Sequence, residues 1–296
     1  MAIAFAVGCP DIELLGITTV AGNVGLDKTT ANALRVRDFL GARDVPVTPG
    51  SAVPLLRPAI TAEHVHGADG LGGARLPPAA SQPNSGHATD FMIDTVMAAP
   101  GEIALVAIGP LTNIALALRR EPALATSVQD FVIMGGSTTR GNVTPAAEFN
   151  IAADPEAAAV VFAAGWKVTM VGLDVTLQAT ADTAVRTRLG VLGRLAEELL
   201  LPSLGRYVDS GLELTSDLPD PAVHDVVAVA HVAHPGLLGC SVARVEVEIA
   251  GRWTAGMTVT DFSAPPADCN ALVATSIDVA GFWDSVLAAY APLATV

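Results

Sequence analysis

Cysteine is scarce in this chain, and basic residues are far outnumbered by acidic ones. Only Cys9, Cys240 and Cys269 occur, far apart and without a C-x-x-C spacing, which argues against a disulfide framework and a zinc knuckle and suits a reducing cytoplasm. Lys and Arg number 16 against 30 Asp and Glu, for a formal net charge of -14. The few cations are scattered (Arg35, Arg37, Arg119, Arg120, Arg186, Arg188), so no surface tracks a phosphate backbone, and neither nucleic acid polymers nor anionic membranes are expected partners. Apolar runs such as Ala157 to Trp166 fall well short of the roughly 20 residues that a membrane span takes. The opening Met1–Cys9 lacks a basic segment and meets Pro10 and Asp11 at once, which reads as a helix fragment and not as a signal peptide. G-x-G-x-x-G, G-x-x-x-x-G-K-[ST] and G-x-S-x-G are absent, and with them the support for a dinucleotide dehydrogenase, a P-loop or a serine hydrolase elbow.

What the chain does have is bulk apolar content: 51% hydrophobic over 296 residues, enough for one large α/β domain spanning 1–296 with no linker to divide it. Strand-like segments at Ile12–Val20, Ile103–Ile108, Phe131–Met134 and Val168–Leu173 alternate with helix-like stretches at Asp27–Leu40, His87–Met97, Leu111–Arg119 and Asp154–Ala164. That alternation predicts parallel β-α-β units, hence an open, mostly parallel, Rossmann-like sheet flanked by helices. Val242–Ile249 and Trp253–Thr260, joined through Ala250-Gly251, read as a late antiparallel hairpin without evident chemistry. Asp154, Pro155 and Glu156 make a helix start: a capping side chain, proline at the first helical position and an early acid.

Ligands of such sheets bind beyond the carboxyl ends of the strands, so the polar residues there carry the functional signal. These are Ala21-Gly22-Asn23, Gly109-Pro110-Leu111-Thr112-Asn113 and Gly135-Gly136, the last followed by the loop Gly141–Pro155 with Asn142, Glu148 and Asn150. Two amides and a carboxylate both donate and accept hydrogen bonds, which suits a polyhydroxylated ligand such as a sugar ring. Asn142 alone reads as a capping residue of a solvated loop. Glu148 and Asn150 lie two apart around Phe149, so an extended backbone would turn both to one side, and for that pair ligand binding is the better reading. His224 and Asp225 are expected in the first turn of a buried helix, Ala222–Val232, opened by Asp220 and Pro221; there the helix terminus favours an ionised Asp225 that can hold a cation. Dipole complementation by Asp225 and a surface role for His224 are equally good readings of each residue alone. His64 and His66 would share a side if extended, but without a third ligand nearby a zinc site there is not expected. Tyr207 reads as a packed aromatic before it reads as a stacking platform.

Taken together, Ile17–Asn23, Val65–Gly67, Ile108–Asn113, Met134–Gly136, Gly141–Ile151 and His224-Asp225 resemble, in order and over nearly the whole chain, the inosine-uridine preferring nucleoside hydrolase family. The resemblance implies an α/β fold, a bound Ca²⁺, a homo-oligomer (dimer or tetramer), and hydrolysis of the N-glycosidic bond of ribonucleosides to ribose and free base. It makes Asn23, Asn142, Glu148 and Asn150 ribose-binding residues, with Met134 lining the same pocket. Asp225 and the backbone carbonyl of Ile108 become metal ligands, His224 the proton donor to the leaving base, and His66 a residue of the base side. Two histidines favour a broad or pyrimidine-tolerant enzyme; a pyridinium riboside is a third substrate class that the same sugar machinery would serve.

The family pattern also includes an N-terminal strand ending in D-x-D-x-x-x-D-D, which this sequence does not contain. Either Met1 is an internal methionine of a longer reading frame, the preferred expectation, or the chain is a non-catalytic riboside-binding protein. With Asp225 and one carbonyl as the implied ligands, calcium affinity is expected to fall severely, because the ion takes about six to eight oxygens, and base release by this chain is expected to be slight.

Overall fold

The computed structural model describes residues 1–210 and 220–295. The chain opens with α1 (Ala2–Gly8), the expected helix fragment, followed by β1 (Ile17–Thr19), α2 (Leu26–Phe39) and β2 (Val47–Pro49). Next come α3 (Glu63–His66), α4 (Ala88–Ala98), β3 (Ala104–Ala107), α5 (Thr112–Arg120), α6 (Leu124–Ser127) and β4 (Asp130–Met134). The site-bearing stretch is α7 (Phe149–Ala153), α8 (Pro155–Phe162), β5 (Val168–Val171) and α9 (Leu173–Thr176). Three further helices, α10 (Thr183–Gly190), α11 (Gly193–Leu195) and α12 (Leu201–Ser210), precede α13 (Asp225–Ala233). The chain ends with β6 (Leu238–Val247), β7 (Thr258–Asp261), β8 (Ala271–Ile277) and α14 (Val279–Tyr290).

The main sheet has the order β3-β4-β5-β8-β6-β7, and a separate parallel pair joins β1 to β2. β3, β4, β5 and β8 are parallel, as the β-α-β alternation predicts, while β6 runs antiparallel to both β8 and β7. Side chains of a strand alternate between faces, and β4 displays the rule cleanly. Val132 and Met134 join one core with Phe5, Val226, Phe282 and Tyr290; Phe131 and Ile133 join the other with Ile114, Leu118, Val161 and Phe162. β4 and β5 are therefore apolar on both faces, the mark of a strand covered by helices above and below. β3 is half-buried along its length, and among the described residues its outer edge has no strand partner. The amide of Asn113 spans the gap to β1, donating to the Thr19 carbonyl at 2.9 Å and accepting from the Ser51 N–H at 2.8 Å.

Several expectations need correction. The first strand is only Ile17–Thr19, not Ile12–Val20, since the Cys9–Ile12 turn and polar Asp11 and Glu13 take up the preceding chain. The late hairpin pairs β6 with a β7 that starts at Thr258 instead of Trp253. Glu248 causes the delay: its carboxylate accepts the Ala250 and Gly251 N–H groups at 2.7 and 2.9 Å and folds the chain into a turn that leaves Trp253 exposed. β8 was not foreseen; it enters the middle of the sheet beside β5. His64 and His66 lie on the short helix α3, where residues two apart face different ways, so the shared side that an extended chain would give them is lost. Among the described residues no helix is long and apolar enough to cross a membrane.

Candidate active site

The Glu148 loop is built by its own polar residues. Glu148 is 3% exposed and caps α7, its carboxylate accepting N–H bonds from Asn150 at 3.0 Å, Ile151 at 3.3 Å and, across the crevice, Gly136 at 3.0 Å. Asn150 donates through Nδ2 to the Met134 carbonyl at 3.0 Å, and Asn142 Oδ1 accepts the Phe149 N–H at 2.9 Å. The expectation of an extended Glu148–Asn150 segment is thus wrong. Glu148 is the extended cap, and Asn150 already sits in the helix, because the acceptor satisfies the N–H groups that a helix start leaves orphaned. Both residues still end at the carboxyl edge of β4, beside Met134.

Glycine makes the close approach possible. Gly136 takes φ +77°, and a Cβ there would stand 2.9 Å from Thr258 Cγ2. A Cβ on Gly135 would come within 3.3 Å of the Glu148 carboxylate. The next strand end supplies a hub that the sequence reading missed. Asp174 accepts the Thr138 N–H at 2.7 Å and hydroxyls from Ser137, Thr138 and Thr139, fixing the loop that leads from Gly136 to Asn142. Applying the strand-end rule to β5 would have found it, since Gly172-Leu173-Asp174-Val175-Thr176 follows directly.

His224 and Asp225 come from the other side. The helix starts at Asp225 and not at Ala222, because Ala222 is engaged in a bridge with Thr180, and His224 becomes the N-cap. The imidazole is oriented by Thr176, whose hydroxyl lies 2.8 Å from Nδ1. From there the ring acts electrostatically on both carboxylates, Glu148 and Asp225. The same imidazole thus favours the ionised forms of an acid at the start of α7 and of one at the start of α13. Burial pushes the Glu148 carboxyl above its ordinary range, against the pull of its backbone donors and of His224. Burial also raises Asp225, opposed by His224 and by the Met1 amino group nearby, and Asp225 accepts no hydrogen bond among the described residues.

The remaining positions line the periphery. Ile108 follows β3 and is half-buried against the core to which Met134 and Val226 belong. Asn23 follows β1; its carbonyl accepts the Ala62 N–H at 2.9 Å, tying its loop to the base of α3, where half-buried His66 lies. A cavity of ≈ 70 Å³ opens beside that loop, lined by Gly22, Val24, Pro110 and Ala153 among others. Tyr207 and the segment up to residue 219 lie outside the residues whose side chains are described.

Comparison with known proteins gives the family of the chain. Residues 1–284 match the family model described as inosine-uridine preferring nucleoside hydrolase. The chain belongs to that family. It is 43% identical over 290 residues to the inosine-uridine preferring nucleoside hydrolase of Leishmania major, covering 97% of this chain and 92% of the relative. It is 45% identical over 296 residues to a non-specific ribonucleoside hydrolase, RihC, of Salmonella enteritidis, covering 98% and 94%. Among solved structures it resembles a purine-preferring ribonucleoside hydrolase from Gardnerella vaginalis, with a TM-score of 0.92 at 31% identity over 99% of this chain and 94% of that one. The nucleoside hydrolase fold is therefore the fold of this chain. The relatives named are hydrolases, so the non-catalytic riboside-binding alternative has no support among them.

Proposed function

We propose that the protein, as a single domain over residues 1–296, hydrolyses the N-glycosidic bond of ribonucleosides, with the sugar held by the α7 cap loop and the base protonated by His224. What supports this reading is membership of the nucleoside hydrolase family and fold, with a buried Glu148 capping α7 beside Met134 and a His224 imidazole oriented by Thr176. Breaking the ribosyl–base bond sends its electron pair to the base and leaves positive charge on the sugar ring. Acceptors on the ribose hydroxyls strengthen as that charge grows, which is the part given to Glu148, Asn142, Asn150 and Asn23. Met134, 4% exposed at the end of β4, supports the pocket wall. His224, oriented by Thr176, gives a proton to the departing base nitrogen and regains one from the water that adds to the ring carbon. His66 belongs to the base side of this reading.

Calcium was implied by family resemblance, with Asp225 and the Ile108 carbonyl as ligands. Asp225 fits a hard cation, being a desolvated carboxylate without a hydrogen-bond partner among the described residues. The sphere does not close: around Asp225 the described residues gather no group of three metal-ligating side chains, against about six to eight oxygens for the ion. The same reading makes the protein a homo-oligomer, dimer or tetramer, and assigns it to the cytoplasm on its three unpaired thiols.

The test is release of free base from inosine and uridine by the purified protein, with and without added calcium. Because the relatives are hydrolases, turnover of both, in place of the slight release that the missing aspartate motif led us to expect, and its loss in His224→Ala and Glu148→Gln, is the expected result. Saturable nucleoside binding by calorimetry with no product from either substrate would overturn the reading.

A further inference from the structure

At the end of α1 and α13 opposite to His224, three side chains of different chemistry meet. α1 and α13 pack side by side in the same direction, which brings the Met1 amino group to Asp225 at one end and Cys9 to His234 at the other. Cys9 closes α1, its N–H donating to the Phe5 carbonyl at 2.9 Å, and its carbonyl accepts the Ile12 N–H at 3.2 Å across a tight turn through Pro10 and Asp11. His234 closes α13, donating its N–H to the Ala230 carbonyl at 2.9 Å and accepting from Leu237 at 3.1 Å just after Pro235. Both backbones are thus fixed by local hydrogen bonds.

The Cys9 Sγ, a carboxylate oxygen of Asp11 and a ring nitrogen of His234 all lie within 4.8 Å of one another. None of the three side chains makes a hydrogen bond or ion pair with a described residue, although Cys9 is only 4% exposed. Ligands in a tetrahedral zinc sphere, at about 2.0–2.3 Å from the metal, stand roughly 3.3–3.8 Å apart, so small rotations of side chains would complete the geometry. We propose that Cys9, Asp11 and His234 form a binding site for a zinc-class divalent cation that clamps the end of α1 to the end of α13. A thiolate, an imidazole and a carboxylate together select a borderline metal such as Zn²⁺ or Co²⁺ over the hard ions Ca²⁺ and Mg²⁺. Binding releases the thiol proton to solvent and leaves the fourth position to water on the Asp11 side, where the surface is exposed. The linear sequence conceals the site, because its ligands come from a turn and a helix end more than two hundred residues apart. The inference does not depend on the hydrolase reading.

The probe is Co²⁺, added to the whole protein after a chelator has stripped it. One equivalent should give a thiolate-to-cobalt charge-transfer band with tetrahedral d–d bands, displaced by Zn²⁺ and untouched by excess Ca²⁺. Cys9→Ser should abolish the charge-transfer band and Cys240→Ser should leave it intact. Asp11→Asn and His234→Gln, at exposed and half-buried positions where folding is safe, should each weaken cobalt by about tenfold or more, since even outer-shell partners are worth that much. Absence of the band, its survival in Cys9→Ser, its loss in Cys240→Ser, or unchanged affinity in either Asp11→Asn or His234→Gln would overturn the assignment.

Discussion

Glu148 and Asp225 are both acids at helix starts, both within reach of the His224 charge, and both raised by burial, yet their surroundings differ in kind. The Glu148 carboxylate accepts the N–H groups of Gly136, Asn150 and Ile151. Asp225 accepts no hydrogen bond among the described residues. The contrast teaches that the sugar-side loop is held in shape by the chain's own backbone, which fixes its geometry before any ligand arrives. Asp225 has no such backbone donors, and only the fields of His224 and the Met1 amino group oppose the cost of burying its charge.

The sharpest way to break the comparison is to remove the hydrogen-bonded acid. Glu148→Ala strips a helix cap and leaves three backbone donors buried without an acceptor, so unfolding in urea should reveal a loss of about 3 kcal/mol or more. Base release should fall with it by about a hundredfold or more. A loss below about 1 kcal/mol would mean that those hydrogen bonds do not hold the loop.

Asp225→Asn should act in the opposite direction on stability. The folded midpoint of Asp225 lies above its unfolded value, so its favourable contribution is complete below the ordinary carboxylate range and disappears as pH rises through the folded midpoint. At pH 7 the neutral amide is spared that cost, and the variant should be more stable than the parent by about 1–2 kcal/mol while losing activity. The gain should shrink towards zero as pH falls below about 4, where the parent carboxyl is protonated in both states. A variant less stable than the parent at pH 7 would show that Asp225 has a partner after all. Smallest is Asn142→Ala, which removes one acceptor for the half-buried Phe149 N–H bond and should cost about 1 kcal/mol.

Sequence alone was enough where local rules act alone. The apolar alternation of Phe131–Met134 gave β4 to within a residue, and Asp154-Pro155-Glu156 marks the α8 start as observed, with Asp154 Oδ1 accepting the Ala157 N–H at 3.1 Å. It failed where a distant partner decides the conformation. Glu148 and Asn150 look like an extended pair until Gly136, twelve residues earlier, is seen to share the same carboxylate. The start of α13 moves to Asp225 because Thr180 claims Ala222, and the importance of Thr176 emerges only once His224 lies against it. β8 is a short apolar run whose place beside β5 comes from a pairing about a hundred residues long in sequence, beyond any periodicity.

The account rests on both acids sharing one histidine, and a carboxyl-detected NMR titration of Glu148 and Asp225 in the parent protein and in His224→Ala measures that directly. Loss of the imidazole removes a group that favours both ionised forms, so the two midpoints should rise together. If either carboxyl titrates as it does in the parent, the two acids do not share His224, and the site assembled from them does not exist.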